Sequence, residues 1–146
     1  MVVGGAGYET EYGAELERIA GGRVKLVGPI YGEGYRELSA YCGIFVLPGM
    51  VEATRLVLLD QMGFGNAIVY QDCAATREVI GKAGMPFGPV NAETSLAEKL
   101  NELIAEPPKR ESMRKAALER AAANYNWEKV TDEYEKILGS LAQVKN

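Results

Sequence analysis

Two stretches, GIFVLPG (residues 43 to 49) and AIVYQD (67 to 72), limit the fold of this chain more than any other feature. Each is a short apolar run without polar residues at alternate positions, bounded by glycine, proline or a carboxylate. A strand with one wet face alternates. A run that does not alternate must be covered on both faces, which is the habit of parallel strands between helical layers. The neighbouring segments supply the helices. GYETEYGAELERIAGG puts Leu16 and Ile19 on one helical face and stops at Gly21 and Gly22. GEGYRELSAYC follows a glycine-rich turn as a short helix, a helix is expected from about Arg55 to Gly63, and AATREVIGKAG predicts another. MVVGG and VKLVG (24 to 28) read as further strands, and MPFGP as a last short one. Two polar helices, SLAEKLNELIAEP and KRESMRKAALERAAANY, and an amphipathic one, NWEKVTDEYEKILGSLAQV, close the chain. The predicted class is therefore α/β, a Rossmann-like parallel sheet flanked by helices. A single domain over 1–146 is expected, with 127–146 as the closing helix.

Composition excludes several chemistries. The chain has no histidine, which removes Ser-His-Asp and Cys-His catalysis and every His-based metal site. No group of acids has ligand-like spacing, so no metal site is expected. The net charge of −4 offers no broad basic surface for nucleic acid. No apolar run is long enough to span a membrane and no signal-peptide pattern stands at Met1, so the expected location is cytoplasmic. Cys42 and Cys73 are expected to be structural thiols of a reducing compartment.

Parallel sheets bind ligands in the crevice beyond the carboxyl ends of their strands, and four loops occupy such positions. GGAGYETEY (4 to 12) lacks the third glycine of a dinucleotide loop, and Glu9 and Glu11 would repel a phosphate there, so a tight turn with acidic capping is expected. GPIYGEGYREL (28 to 38) offers two tyrosines and an isoleucine that either sandwich a flat ring or pack at a loop edge. In QDCAATREV (71 to 79), Asp72 is expected to cap a helix, with Arg77 and Glu78 on a charged face. The remaining loop precedes the helix of VEATRLVLLDQMGFGNAIVYQD (51 to 72). The first amides of that helix, with Thr54, make an anion site. Glu52 could accept hydrogen bonds from ligand hydroxyls. Asp60, inside an apolar run, is costly to bury without a donor such as a ribose diol. Equally open is a structural role, with Glu52 a cap and Asp60 solvated.

The order of these features resembles the donor-binding C-terminal half of the family-four retaining glycosyltransferases of the GT-B fold. VVGGAGYETEYGAEL is similar to their second strand-helix unit and VKLVGPIYGEGYREL to the next. FVLPGMVEATRLVLLDQMGFGNAIVYQD resembles their signature region, with two acids separated by seven residues, and NYNWEKVTDEYEKIL resembles their closing helix. EAT in place of the common EGFG, with MGFGNAIV and TREVIGKAG, is most similar to the rhamnosyltransferase-like branch.

The resemblance implies donor-binding residues Ile30, Glu52, Ala53, Thr54, Arg55, Leu56 and Asp60, with Glu52 also the catalytic residue. Glu52 would lie near the donor-sugar hydroxyls and Asp60 at the ribose diol. Ala53 to Leu56 would form the turn whose amides meet the diphosphate, and the Ile30 backbone would face the nucleobase. Two departures stand out: the second acid is Asp rather than Glu, and Ala53, Thr54 and Arg55 replace glycines. The implied substrate is a nucleotide-diphospho-sugar, used without a metal, and the implied acceptor is a glycan or a lipid-linked molecule. The family places an earlier strand-helix unit and an N-terminal acceptor domain ahead of such a segment. The chain is thus expected to lack its first unit and to be inactive alone, meeting a membrane only through the absent domain or a lipid-linked acceptor. VVGG and GIFVLPG would flank the gap and are expected to close on each other or to self-associate. The alternative is a non-catalytic α/β nucleotide-binding or interaction module.

Overall fold

The strand at residues 67–71 is the centre about which the structure is built. The computed structural model describes residues 1–4, 10–49 and 56–143. The chain divides into two compact units, Met1–Tyr41 and Cys42–Asn146.

In the first unit, helix α1 spans Thr10–Ala20 and helix α2 spans Gly32–Ala40. Gly21 and Gly22, at φ of 54° and 78°, end α1 in the left-handed conformation that glycine adopts without cost. The sequence reading of that stop is correct. Val2 forms a parallel bridge with Leu26, framed by bonds from the Val2 amide to the Lys25 carbonyl (2.8 Å) and from the Val27 amide to the Val2 carbonyl (3.2 Å). Val2 therefore pairs with the 24–28 segment of its own unit.

The second unit holds a parallel sheet of β1 (Ile44–Leu47), β2 (Ala67–Gln71) and β3 (Gly84–Phe87), in the order β1-β2-β3. Crossover helices α3 (Leu56–Gly63) and α4 (Ala74–Ile80) join the strands, and α5 (Ala92–Ala105), α6 (Pro107–Asn124) and α7 (Trp127–Gln143) follow. The strands and helices expected of this unit are present, with MPFGP supplying the last strand, whereas MVVGG and VKLVG, also expected as strands, form among the described residues only the isolated Val2–Leu26 bridge. Val46 lies opposite Val69, and Val69 opposite Met85. The pleat then sends Phe45, Leu47, Ile68 and Tyr70 to one face, against Leu58 and Met62 of α3, Val79 and Ile80 of α4, and Ala117 of α6. Ile44, Val46, Val69, Met85 and Phe87 meet Leu96, Leu100 and Leu103 of α5 on the other. Residues 67–70 are buried on both sides, which is why this run never alternates.

Helix α6 fastens the sheet's amino edge. Arg120 donates from Nε to the Val79 carbonyl and from Nη2 to that of Glu78, both at 2.6 Å, satisfying carbonyls left open at the end of α4. Tyr125 adds its hydroxyl to the Val79 carbonyl. Arg114 donates from Nε to the Gly65 carbonyl (2.8 Å), in the turn between α3 and β2. Beside that turn, buried Asn66 donates from Nδ2 to Gln61 Oε1 at 2.6 Å. Pro107 and Pro108 begin α6 where their missing amides cost nothing, and Lys109 reaches back to Glu102 of α5.

Gly84 is a point of close approach. A Cβ there would lie 2.3 Å from Ile80 Cδ1 and 3.1 Å from the Ile68 carbonyl oxygen, inside the β2-β3-α4 packing. Gly84→Ala is expected to destabilise the fold by about 1–3 kcal/mol through overpacking. Urea unfolding followed by far-UV circular dichroism reads this directly, and an unchanged midpoint would show that the packing yields freely.

Candidate functional site

Because β1, β2 and β3 are parallel, their carboxyl ends share one edge of the sheet, after Leu47, Gln71 and Phe87. Three connections leave from that edge. The first passes through Pro48 and Gly49, and its described part resumes at Leu56, the start of α3. Glu52, Ala53, Thr54 and Arg55 lie outside the described residues, as do Gly5 to Glu9 of the first glycine-rich loop.

Helix α3 separates two stripes. Leu58, Gln61 and Met62 are buried, whereas Leu56, Asp60 and Gly63, spaced by four and three residues, are exposed. Asp60 therefore carries no burial cost, and the expectation built on that cost does not hold for its place in the chain. Asp60 is the fifth of the eight residues of α3. Leu56 and Asp60 are the two expected site residues that the structure brings to one face.

Ile30 belongs to the first unit. It is half-buried, and its Cγ2 would stand 3.1 Å from a Cβ at Gly34, so the side chain lies over the first turn of α2. Of the nearby tyrosines, Tyr31 is exposed ahead of α2 and Tyr35 is half-buried on it.

The second connection holds charges whose pairing sequence reasoning missed. Asp72 was expected to cap α4, but the N-cap residue is Cys73, without a side-chain cap bond. The Asp72 amide instead extends the ladder by donating to the Phe87 carbonyl at 3.0 Å. Its carboxylate accepts from Arg77 Nε at 3.1 Å and from Arg77 Nη2 at 2.7 Å to each oxygen. The bond to Asp72 holds the Arg77 guanidinium yet more firmly protonated. The signal was available as an Asp and an Arg five residues apart across a strand-to-helix turn. At the third connection the Gly88 amide donates to Ser95 Oγ at 3.2 Å, tying the β3 exit to α5.

Cys73 sits between these charges, with its Sγ 3.1 Å from Thr76 Oγ1. Hydrogen bonds from the Thr76 hydroxyl and then its backbone lower the Cys73 thiol below its ordinary range, whereas burial raises that of Cys42. Both cysteines are unbridged. Among the described residues, no three of His, Cys, Asp and Glu gather closely enough to hold a metal ion. A shallow hollow of about 510 Å³, lined by Lys82, Glu119, Arg120 and Asn124 among others, lies at the C-terminal end of α4, the opposite edge of the sheet.

The two thiols give a direct check on this local chemistry. With more thiolate at a given pH, Cys73 should react with iodoacetamide faster than Cys42, and its rate should rise at lower pH. Thr76→Val should slow Cys73, and unfolding in urea should bring the two rates together. Peptide mapping by mass spectrometry measures each site, and equal rates in the folded protein would contradict the assigned role of Thr76.

The family profile described as Glycosyl transferases group 1 matches residues 1–106. Sucrose synthase from Melioribacter roseus is 30% identical over 118 residues, covering 77% of this chain and 14% of that protein. Alpha-maltose-1-phosphate synthase from Mycolicibacterium smegmatis is 28% identical over 105 residues, covering 67% and 27%. Among solved structures, sucrose-phosphate synthase from Thermosynechococcus elongatus superposes with a TM-score of 0.78 at 25% identity, covering 97% of this chain and 38% of that one. The parallel sheet flanked by helices is thus that of the C-terminal half of a GT-B glycosyltransferase. The chain spans between about a seventh and two fifths of the length of these proteins.

Proposed function

The chain belongs to the group 1 glycosyl transferases, and from that premise we propose that it is the donor-binding part of a retaining enzyme that transfers a sugar from a nucleotide-diphospho-sugar. The observation that supports this reading is that the connection out of β1, at the carboxyl edge of a parallel sheet where such folds take ligands, leads into α3, whose exposed stripe holds Leu56 and Asp60. In this reading Asp60 accepts hydrogen bonds from the ribose diol, Glu52 meets the donor-sugar hydroxyls, and the amides of Ala53 to Leu56 face the diphosphate. Catalysis is then electrostatic. Backbone donors stabilise the charge that develops on the departing diphosphate, and neither a metal ion nor a covalent nucleophile from this chain takes part. The acceptor and its groups belong to polypeptide outside residues 1–146.

The finer assignment is the rhamnosyltransferase-like branch with a glycan or lipid-linked acceptor, as in polysaccharide biosynthesis, in the cytoplasm or at its membrane face. MGFGNAIV and TREVIGKAG support it. A second reading, a small sugar or sugar-phosphate acceptor, is favoured by the named relatives, which are synthases of sucrose, sucrose phosphate and maltose 1-phosphate.

Ligand-observed NMR of the chain against a panel of nucleoside diphosphates and nucleotide-sugars tests the donor reading. Weak binding is expected, with Kd on the order of millimolar, or ~4 kcal/mol. Asp60→Asn should weaken the nucleotides that carry a ribose diol and leave the corresponding 2′,3′-dideoxy compounds unchanged, with no loss in unfolding midpoint. Absence of binding by every nucleotide at millimolar concentration would overturn the donor assignment. Equal loss for ribo- and dideoxy-ligands would overturn the role of Asp60 alone.

A further inference from the structure

The hollow at the C-terminal end of α4 takes no part in the proposed donor site, which lies at the opposite edge of the sheet. Ala116, Glu119, Arg120 and Asn124 stand three or four residues apart and line it from one face of α6. Gly81, Lys82 and Ala83 line it from the turn between α4 and β3. The space exists because Gly81, Ala83 and Ala116 are small. Gly81 is the most constrained of them. A Cβ there would stand 2.8 Å from Arg120 Cζ, and its φ of 57° favours glycine.

The charges of the rim favour an anion. Arg120 directs Nε and Nη2 to the carbonyls of Val79 and Glu78, so its bonds hold it in place without neutralising it. Lys82 is exposed, and among the described residues neither cation has a carboxylate within ion-pair distance. Glu119, the carboxylate of the rim, is paired with Lys115 at 3.8 Å. Positive charge is therefore in surplus at this hollow, in a chain whose net charge is −4. Acceptors stand beside the cations. Asn124 donates from Nδ2 to the Arg120 carbonyl at 3.1 Å, which leaves its Oδ1 to accept, and the Glu119 carboxylate accepts as well. A ligand that carries both an anionic group and hydroxyls satisfies both sets, and the methyl groups of Ala83 and Ala116 suit the C–H face of a sugar ring.

We propose that this hollow is a second ligand site that takes a small phosphorylated sugar, with the phosphate on Lys82 and Arg120 and the hydroxyls on Asn124 and Glu119. Its volume of about 510 Å³ is that of a small-molecule site. An arginine already fixed by two carbonyls loses little freedom when it meets a phosphate.

The probe is glucose 6-phosphate, titrated by phosphorus and proton NMR and compared with glucose and with inorganic phosphate. Saturable binding is expected, tighter for glucose 6-phosphate than for either half by about tenfold. Lys82→Glu should lower that affinity by about tenfold or more, and Lys82→Arg should retain it. Asn124→Ala should weaken glucose 6-phosphate and leave inorganic phosphate unchanged. Arg77→Gln, at the carboxyl edge, should change neither. Lys82, Asn124 and Arg77 are all outside the buried core, so each variant is expected to keep the unfolding midpoint of the unliganded chain. Absence of saturable binding, affinity untouched by Lys82→Glu, a loss on Arg77→Gln, equal affinity for inorganic phosphate and glucose 6-phosphate, or equal loss of both on Asn124→Ala would overturn the proposal.

Discussion

Everything in the second unit follows from burying β2 on both faces. Residues 67–70 are at most 2% exposed, so neither side of the strand can hold an unpartnered polar side chain. The backbone is satisfied by β1 and β3, and the side chains require a helical layer above and another below. Parallel pairing then obliges each crossover to return along a face of the sheet, which is what α3 and α4 do. Burial and topology are here one constraint: a run of Ala, Ile, Val and Tyr that cannot face water anywhere.

The two edges of the sheet divide the remaining labour. At the amino edge the chain turns tightly and the ends of α3 and α4 would leave carbonyls open. Arg114 and Arg120, six residues apart on α6, bring charged donors to those carbonyls. Hydrogen bonds from a guanidinium are among the stronger ones available, and a planar donor suits two carbonyls at once. At the carboxyl edge the side chains look outward. Asp72 and Arg77 pair with each other, Leu56 and Asp60 remain on the surface of α3, and none of them is buried in the core clusters. One edge is fastened and the other displayed.

The elements were legible because their signals are local. AIVYQD announces double burial, Gly21 and Gly22 announce the end of α1, and the spacing of Leu, Ile and Tyr in 127–143 announces an amphipathic helix. The partners of charged side chains were not legible. Asp72 has the composition of a cap, yet the cap position falls one residue later and its carboxylate turns to Arg77, because the ladder bond to Phe87 fixes the Asp72 backbone as a continuation of β2. Arg120 and Arg114 lie more than 40 residues from the carbonyls they satisfy, and no periodicity links such positions. Asp60 was hard to place for a related reason. A helix with apolar residues on nearly every turn does not reveal which stripe faces inward until the sheet beneath it is known.

That stripe bears on the departure of this chain from its family's usual pair of glutamates. Leu58, Gln61 and Met62 hold α3 to the core, and Asp60 lies on the other side of the same helix. Replacing a glutamate there by aspartate removes one methylene from an exposed side chain. It leaves no cavity, so the large cost of deleting buried carbon does not apply. What changes is reach: the carboxylate retreats toward the helix axis by about one carbon–carbon bond, some 1.5 Å, which is half the length of a hydrogen bond. A ribose diol seated against glutamate would lose contact with aspartate unless the donor sits correspondingly closer to α3. The exposed Leu56, one turn before Asp60 on the same face, is the side chain such a donor would meet first. In the proposed donor site the substitution would therefore act on the fit between helix and ligand, while Leu58, Gln61 and Met62 hold the helix to the core.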